Sequence, residues 1–329
     1  MKRKILNTIS LAGRIFPLET LLNIANKRNI CLVYHTVNDE VPLHVKHLYR
    51  PRTTSEFNHD VDFLGKHFNF VSTTGIGDNI SRVKRSIHLT FDDGLSACYD
   101  TIRPLLLQKG IPAIFFLNPS FIGNDKMFHC HKASLLKEVF LTKKTALHND
   151  TGELIPERSF LKTIISIAGF PDAFYNNLAE QLGVDFESYL RQYRPYLSLE
   201  QVHKMKAEGF EFGGHTLTHP FLQLLTEKDQ IDEMTGSFQW LKGNQITDAE
   251  YFAFPFTDTG IGKSLFLKMR ELGISQSFGT SDLKEDIFES HHHRISFENS
   301  ENEAAVILKQ QLFKYILLKL IGRHKIQRQ

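Results

Sequence analysis

The sequence predicts an α/β protein built from parallel βαβ units, and three observations carry that expectation. Short strand-like runs recur, among them NICLVYH (29–35), IHLTF (87–91), IPAIFFL (111–117), FEFGGH (210–215), YFAFPF (251–256) and ISQSFGT (274–280). Segments of helical periodicity separate them, and strands that alternate with helices pair in parallel. Finally, residues able to do chemistry fall at strand ends, where α/β folds gather their sites: Asp92 and Asp93 after one strand, His215 after another.

Each element has a local reason. Ile87, Leu89 and Phe91 alternate with His88 and Thr90, as a strand with one apolar face requires. Phe57, Val61 and Leu64 share one face of a helix expected over 55–67. A helix over 99–108 is punctuated by Gly110, and Ser198 with Gln201 forms a capping box for a helix closed by Gly209. Further helices are expected over 226–242 and 263–271. Residues 125–197 break the rhythm and read as a helical insertion over one rim of the sheet. Domain limits follow: an N-terminal amphipathic helix in 1–28, the main body in 29–299 with that insertion, and a basic C-terminal helix in 300–329.

The composition narrows the function. With 329 residues, 41% of them hydrophobic, the chain can bury a large core. Lys and Arg number 39 against 37 Asp and Glu, a net charge of +2 that argues against nucleic-acid binding. The cysteines, Cys31, Cys98 and Cys130, are too scattered for a disulfide framework or a thiolate zinc site. The N-terminal run is broken by Asn7, Thr8, Ser10 and Arg14, so it lacks a signal-peptide core, and no stretch reaches the roughly 20 apolar residues of a membrane span. A cytoplasmic location is expected. The basic, amphipathic ends suit packing on the body, with peripheral contact to the inner face of an anionic membrane as the alternative. Nothing in the sequence indicates an oligomeric state.

Adjacent carboxylates resist joint ionisation unless a cation or hydrogen bonds compensate. His215 and His219, four positions apart in GGHTLTHP, offer two imidazoles to one side of a turn. With one aspartate they make three ligands for a divalent metal and leave a position open. Neighbouring residues at a strand end point apart, so one aspartate would ligate and the other would serve as general base. Gly94 then lets the backbone turn away. The rival reading is an HxxxH that is purely structural.

TFDDG (90–94) and HTLTH (215–219) resemble the first two motifs of the polysaccharide deacetylase family, the NodB-homology carbohydrate esterases. The resemblance runs from about Tyr34 to Phe297. It implies a distorted (β/α) barrel of about seven parallel strands and hydrolysis of an acetyl group, N-acetyl more often than O-acetyl, on a sugar of a surface or exopolysaccharide. It makes Asp92 the general base and Asp93, His215 and His219 the ligands of a divalent metal, zinc first, with cobalt, nickel and manganese as alternatives. Backbone N–H groups near Gly94 or Leu95 would stabilise the oxyanion, and Pro255 and Phe256 would shape the sugar groove. Two features depart from the family pattern. Ala253 stands where the third motif has arginine, and the final motif's histidine has no clean counterpart, His293 being the general-acid candidate within the run His291-His292-His293. Both departures motivate an alternative, a weakly active or inactive glycan-binding relative.

Three further places carry expectations of their own. His35, at a strand end, has either a substrate-side role or a place in the core. The His129-Cys130-His131 stretch reads as a loop or helix start, and Asp258 as a turn residue.

Overall fold

The computed structural model describes residues 10–73, 85–149, 151–166, 168–247 and 251–329; the first nine residues of the expected N-terminal helix lie outside them. Seven parallel strands form the centre: β1 (Asn29–Tyr34), β2 (Ser86–Phe91), β3 (Ile114–Leu117), β4 (Glu211–Gly214), β5 (Tyr251–Ala253), β6 (Gln276–Gly279) and β7 (His291–Ser296). They pair in chain order, and β7 returns to β1 with Cys31 opposite Arg294, closing a barrel. A two-residue strand, Asn69–Phe70, adds alongside β2.

Alternation along the strands sorts side chains between the axis and the outside. Cys31, Ile114, Phe116, Tyr251, Ala253 and Phe278, from four strands that are not all neighbours, meet in one cluster, which only the barrel's interior allows. Ile87, Leu89 and Phe91 point outward into the large core beneath the helices, with Leu32, Phe115, Phe212 and Ile295. The other face of β2 carries Thr90, which lies near the axis and hydrogen-bonds inward-pointing Arg294.

The helices follow their caps. α1 spans Leu18–Ala25, and α2 (Thr54–His67) opens on a Thr53/Glu56 capping box. One π-turn, Cys98–Ile102, leads into α3 (Arg103–Lys109), where a continuous helix was expected. The insertion holds α4 (His129–Lys143), α5 (Glu157–Thr163), α6 (Asp172–Leu182) and α7 (Phe186–Tyr193). These helices build a small core of their own around Phe140, Phe160, Tyr175 and Leu182. The expected Ser198/Gln201 capping box opens α8 (Leu199–Ala207), and Thr226 caps α9 (Glu227–Gly243). α10 (Lys263–Glu271) and α11 (Ala304–Leu320) complete the set. α11 buries Leu308, Leu312 and Tyr315 in the main core, against α1 and α2. Its Lys314 pairs with Asp282, and Lys27 with Glu285. None of the described helices is long and apolar enough to cross a membrane.

Two expectations change. The strand read over 251–256 ends at Ala253: Pro255 has no N–H to carry the ladder on, and Phe256 then takes a positive φ of 55°. The histidine run, read only as the place of a general-acid candidate, is the start of β7, the strand that closes the barrel.

At Gly213, inside β4, a Cβ would lie 2.6 Å from the Tyr251 carbonyl oxygen and 2.6 Å from the Phe116 ring. Gly213→Ala should therefore cost about 1–3 kcal/mol of stability through overpacking, read as a lowered midpoint in thermal or urea unfolding.

Candidate active site

The carboxyl ends of the strands bring Asp92, Asp93, Glu298, His35, His215, His219 and Arg294 together. Asp92 follows β2 and is nearly fully buried. Arg294, from β7, donates from one guanidinium nitrogen to Asp92 Oδ1 at 2.7 Å and from the other to Oδ2 at 2.8 Å. The same arginine donates to Thr90 Oγ1 at 3.0 Å and to the Gly279 carbonyl at 3.3 Å. Burial alone would raise the Asp92 carboxyl, but Arg294, with help from His215 and His35, overrides it and holds the group below the usual carboxylate range. Ala253 therefore leaves Asp92 with a cationic partner, because β7 supplies the guanidinium that β5 lacks.

Asp93, whose backbone takes a left-handed φ of 74°, turns its carboxylate to the two histidines. Its Oδ1 lies 3.5 Å from His215 Nε2 and 3.2 Å from His219 Nε2. The loop bearing these histidines is held open rather than helical: Thr216 and His219 have φ of 65° and 58°. Glu233 of α9 accepts from the backbone N–H groups of Leu217 and Thr218, both at 2.9 Å, and Asn118 donates to the His215 carbonyl. Strained backbone of this kind persists only where its surroundings over-determine it, at about 1–3 kcal/mol per residue.

The donor set fits a divalent cation. His215 Nδ1 lies 2.8 Å from the Ala253 carbonyl, an acceptor, so Nδ1 carries the proton and Nε2 turns its lone pair toward Asp93. Asp93 Oδ1 is buried and has no hydrogen-bond partner among the described residues. Lone pairs converging on an unpartnered carboxylate oxygen call for positive charge between them. Burial opposes ionisation of Asp93, yet the neighbouring imidazoles in their protonated form hold its carboxyl well below the ordinary range, and burial in turn pulls His219 below its own, toward the neutral form that can ligate.

A cavity of about 400 Å³ opens over these groups. His35, Asp92, Asp93, His215, His219, Arg294 and Glu298 form its polar side, and Phe128 and Ile165 of the insertion, with Phe254 and Phe256, form much of the rest. The Phe256 ring stands 4.6 Å from the His219 ring. Gly94, Leu95 and Pro255 do not line the cavity. A Cβ at Gly94 would meet Leu117 and Ile122, and Leu95 packs with Phe121 and Tyr196.

His35 is the histidine that the cavity receives in a charged setting. Its Nδ1 lies 2.5 Å from Glu298 Oε2, and its backbone N–H donates to Glu298 Oε1 at 2.8 Å. Burial would lower its pKa, but Glu298, reinforced by Asp93 and Asp92, pushes it up to about 10. Its side chain is 29% exposed, so water screens part of that field.

His293 does not reach the cavity, which corrects the general-acid expectation. Alternation along β7 sends Arg294 inward and His291 and His293 outward, under α10 and the C-terminal segment. There His293 Nδ1 lies 3.8 Å from Asp258 and Nε2 3.4 Å from Asp286, while His291 Nε2 lies 3.3 Å from Asp258. Asp258 opens a turn, its carbonyl accepting the Ile261 N–H at 3.2 Å, and its side chain is fully buried. These four residues have the spacing of a metal site, but Arg328 already occupies it, donating to both Asp258 and Asp286.

This geometry agrees with the sequence comparisons. A profile of the polysaccharide deacetylase family matches residues 79–276, most of the chain, and the protein belongs to that family. It is thereby a carbohydrate deacetylase, a hydrolase whose substrate is an acetylated carbohydrate, in a family that generally depends on metal. Among solved structures, the Streptococcus pyogenes deacetylase PplD in complex with acetate superposes with a TM-score of 0.56 at 15% identity, over 86% of this chain and 97% of that one. IcaB from Ammonifex degensii gives 0.55 at 16%, over 87% and 97%. The de-N-acetylase from Aggregatibacter actinomycetemcomitans gives 0.54 at 13%, over 84% and 98%. These likenesses establish the shared fold. No curated protein sequence matches the chain.

Arg294→Met should strand a buried carboxylate and cut kcat by about 100-fold, with the acidic limb of the pH–rate profile moved upward. Arg294→Lys, a point charge without the fork, should rescue only part of it.

Proposed function

We propose that this chain is a metal-dependent deacetylase that removes an acetyl group, N-acetyl foremost, from a sugar unit of a surface polysaccharide, an exopolysaccharide or its precursor. One observation carries the reading: Asp93, His215 and His219 converge on one point, while Asp92, next door, is held apart and ionised by Arg294. A divalent ion such as zinc, bound by those three side chains, would polarise the acyl carbonyl and make water more acidic. Cobalt, nickel and manganese suit the same donors.

The remaining steps belong to the chain's own residues. Asp92 accepts a proton from the attacking water as its oxygen bonds to the acyl carbon. Arg294 keeps the carboxylate ionised and fixes its plane. The tetrahedral adduct collapses when His35, doubly protonated beside Glu298, gives its Nε2 proton to the departing amine. Acetate and a free amino sugar leave, and water restores the proton balance. His35 thus takes the acid role for which His293 was the candidate. The glycan-binding alternative drew its support from Ala253 and a missing acid, and Arg294 and His35 supply both functions.

Acetate release from N-acetylglucosamine oligomers should be measurable and should vanish with chelator. Asp93→Asn and His219→Ala should lose stoichiometric metal by elemental analysis; retained metal with no acetate released would defeat the reading.

The pH dependence has a definite sign. Asp92 is depressed, so it stays ionised until strongly acid pH, and His35 is raised to about 10, so its proton is lost as pH climbs through the alkaline range. A cation bound nearby cancels part of the carboxylate field and brings that limb lower. Rate should therefore fall on the alkaline side, and His35→Gln should abolish this limb while lowering kcat by about 100-fold. An unchanged alkaline limb in His35→Gln would assign the acid elsewhere.

A further inference from the structure

Part of the cavity wall is held from behind by groups that the mechanism does not use. Phe256 and Thr280 both line the cavity. Phe256 has left-handed backbone, a conformation that a bulky residue keeps only where its surroundings over-determine it. Two hydrogen bonds do so: Thr280 Oγ1 donates to the Phe256 carbonyl at 3.2 Å, and Gln223 donates to the Thr257 carbonyl at 2.7 Å. Thr280 is placed in turn by Asp258, whose Oδ1 accepts its backbone N–H at 3.1 Å. The approach is close. A Cβ at Gly279 would lie 2.5 Å from that same oxygen.

Asp258 does this as a buried charge. Its side chain has no exposed surface, and neither do those of Asp286, His291 and His293 around it. Burial opposes its ionisation, but His291 and His293, with Arg328, hold its carboxyl far below the ordinary range. Arg328 donates to the Asp258 carbonyl at 2.6 Å and to Asp258 Oδ2. It also donates to Asp286 Oδ2 from two nitrogens, at 2.7 and 3.0 Å, and its guanidinium lies 4.3 Å from the centre of the Phe266 ring. The segment that bears it is fastened on both sides. Lys325 and Ile326 pair with Glu285 and Asp286, and the Gln329 carbonyl accepts the Lys263 N–H at 2.8 Å. One guanidinium thus serves two buried carboxylates, which its loss would strand.

The reacting groups have supports of their own. Arg294 holds Asp92 from β7, and Glu233 and Asn118 hold the loop of His215 and His219. The contacts of Asp258 lead instead to Thr280 and Phe256, the part of the wall that a sugar ring meets when its acetyl group lies among Asp92, Asp93 and His35. We propose that Arg328 and Asp258 are positioning residues: the pair braces Thr280 and Phe256 from behind and so sets the affinity of the cavity for the sugar without touching it. The inference rests on the deacetylase reading and deepens it.

The test reads KM against kcat on an N-acetylglucosamine trimer at stoichiometric metal. Arg328→Lys keeps a charge but loses the fork; it should raise KM about tenfold and leave kcat within about twofold. Thr280→Val keeps the shape and removes the Oγ1 donor, and should raise KM about threefold. Both act through Phe256, so the double variant should show less than the product of the two effects. Arg328→Ala opens a cation-sized hole. Dilute, non-denaturing guanidinium chloride should return its KM toward the wild-type value, where sodium chloride of equal ionic strength does not. A cluster that only stabilised the fold would lower the unfolding midpoint and leave KM unmoved below it. Unchanged KM in either single variant, a loss carried by kcat, fully multiplicative effects, or a folded Arg328→Ala that guanidinium does not rescue would overturn the proposal. If Arg328→Ala does not fold, the lysine and valine variants and their combination decide. Wild-type protein that released no acetate from any sugar would defeat the proposed function, while calorimetric dissociation constants for the trimer, compared across the same variants, would still decide the brace. Wild-type protein that also failed to bind the trimer would overturn both.

Discussion

The buried pair between Arg294 and Asp92 is the constraint on which the active end of the barrel depends. Two adjacent carboxylates cannot both stay ionised in a water-poor pocket without compensation, and the protein gives each its own. Asp92 receives a guanidinium in bidentate geometry, which fixes the plane of its carboxylate as well as its charge. Asp93 receives two imidazoles whose lone pairs leave room for a cation. Adjacent positions in sequence thus acquire different protonation behaviour, and a base beside a metal centre requires that separation.

The barrel makes this affordable because its interior is not an oily core throughout. The lower part is filled by Phe116, Phe278 and Tyr251, whereas toward the carboxyl ends the inward positions become Thr90, Arg294 and Ser296. Arg294 passes over the Phe116 ring, 5.6 Å from its centre, before reaching Asp92. Apolar packing below and polar groups above define where water and substrate can stand. The insertion then roofs one side with Phe128, His131 and Ile165, turning an open barrel mouth into a walled cavity.

Much of this was readable from local pattern. Alternation in IHLTF, the capping box at Ser198, and the pairing of TFDDG with HTLTH each depend on residues a few positions apart, where periodicity and turn chemistry operate. What escaped depends on distance. Arg294 and Asp92 are separated by 202 positions, and His35 and Glu298 by 263. No local rule links them. β7 escaped for a related reason: HHHRIS is polar because both of its faces meet charged or hydrogen-bonding partners, so its composition imitates a solvated loop. One signal was available: with Ala253 where the third motif has arginine, Asp92 needed a cation from elsewhere, and Arg294 stands beside the histidine run already singled out.

The cluster around Arg328 bears on how the chain comes off the ribosome. Asp258, Asp286, His291 and His293 are all made before their cation, which follows Asp258 by seventy positions. Until Arg328 emerges, the outer wall behind β7 holds carboxylates with no guanidinium to neutralise them. During synthesis that wall therefore gains its compensating charge only once Arg328 has joined it.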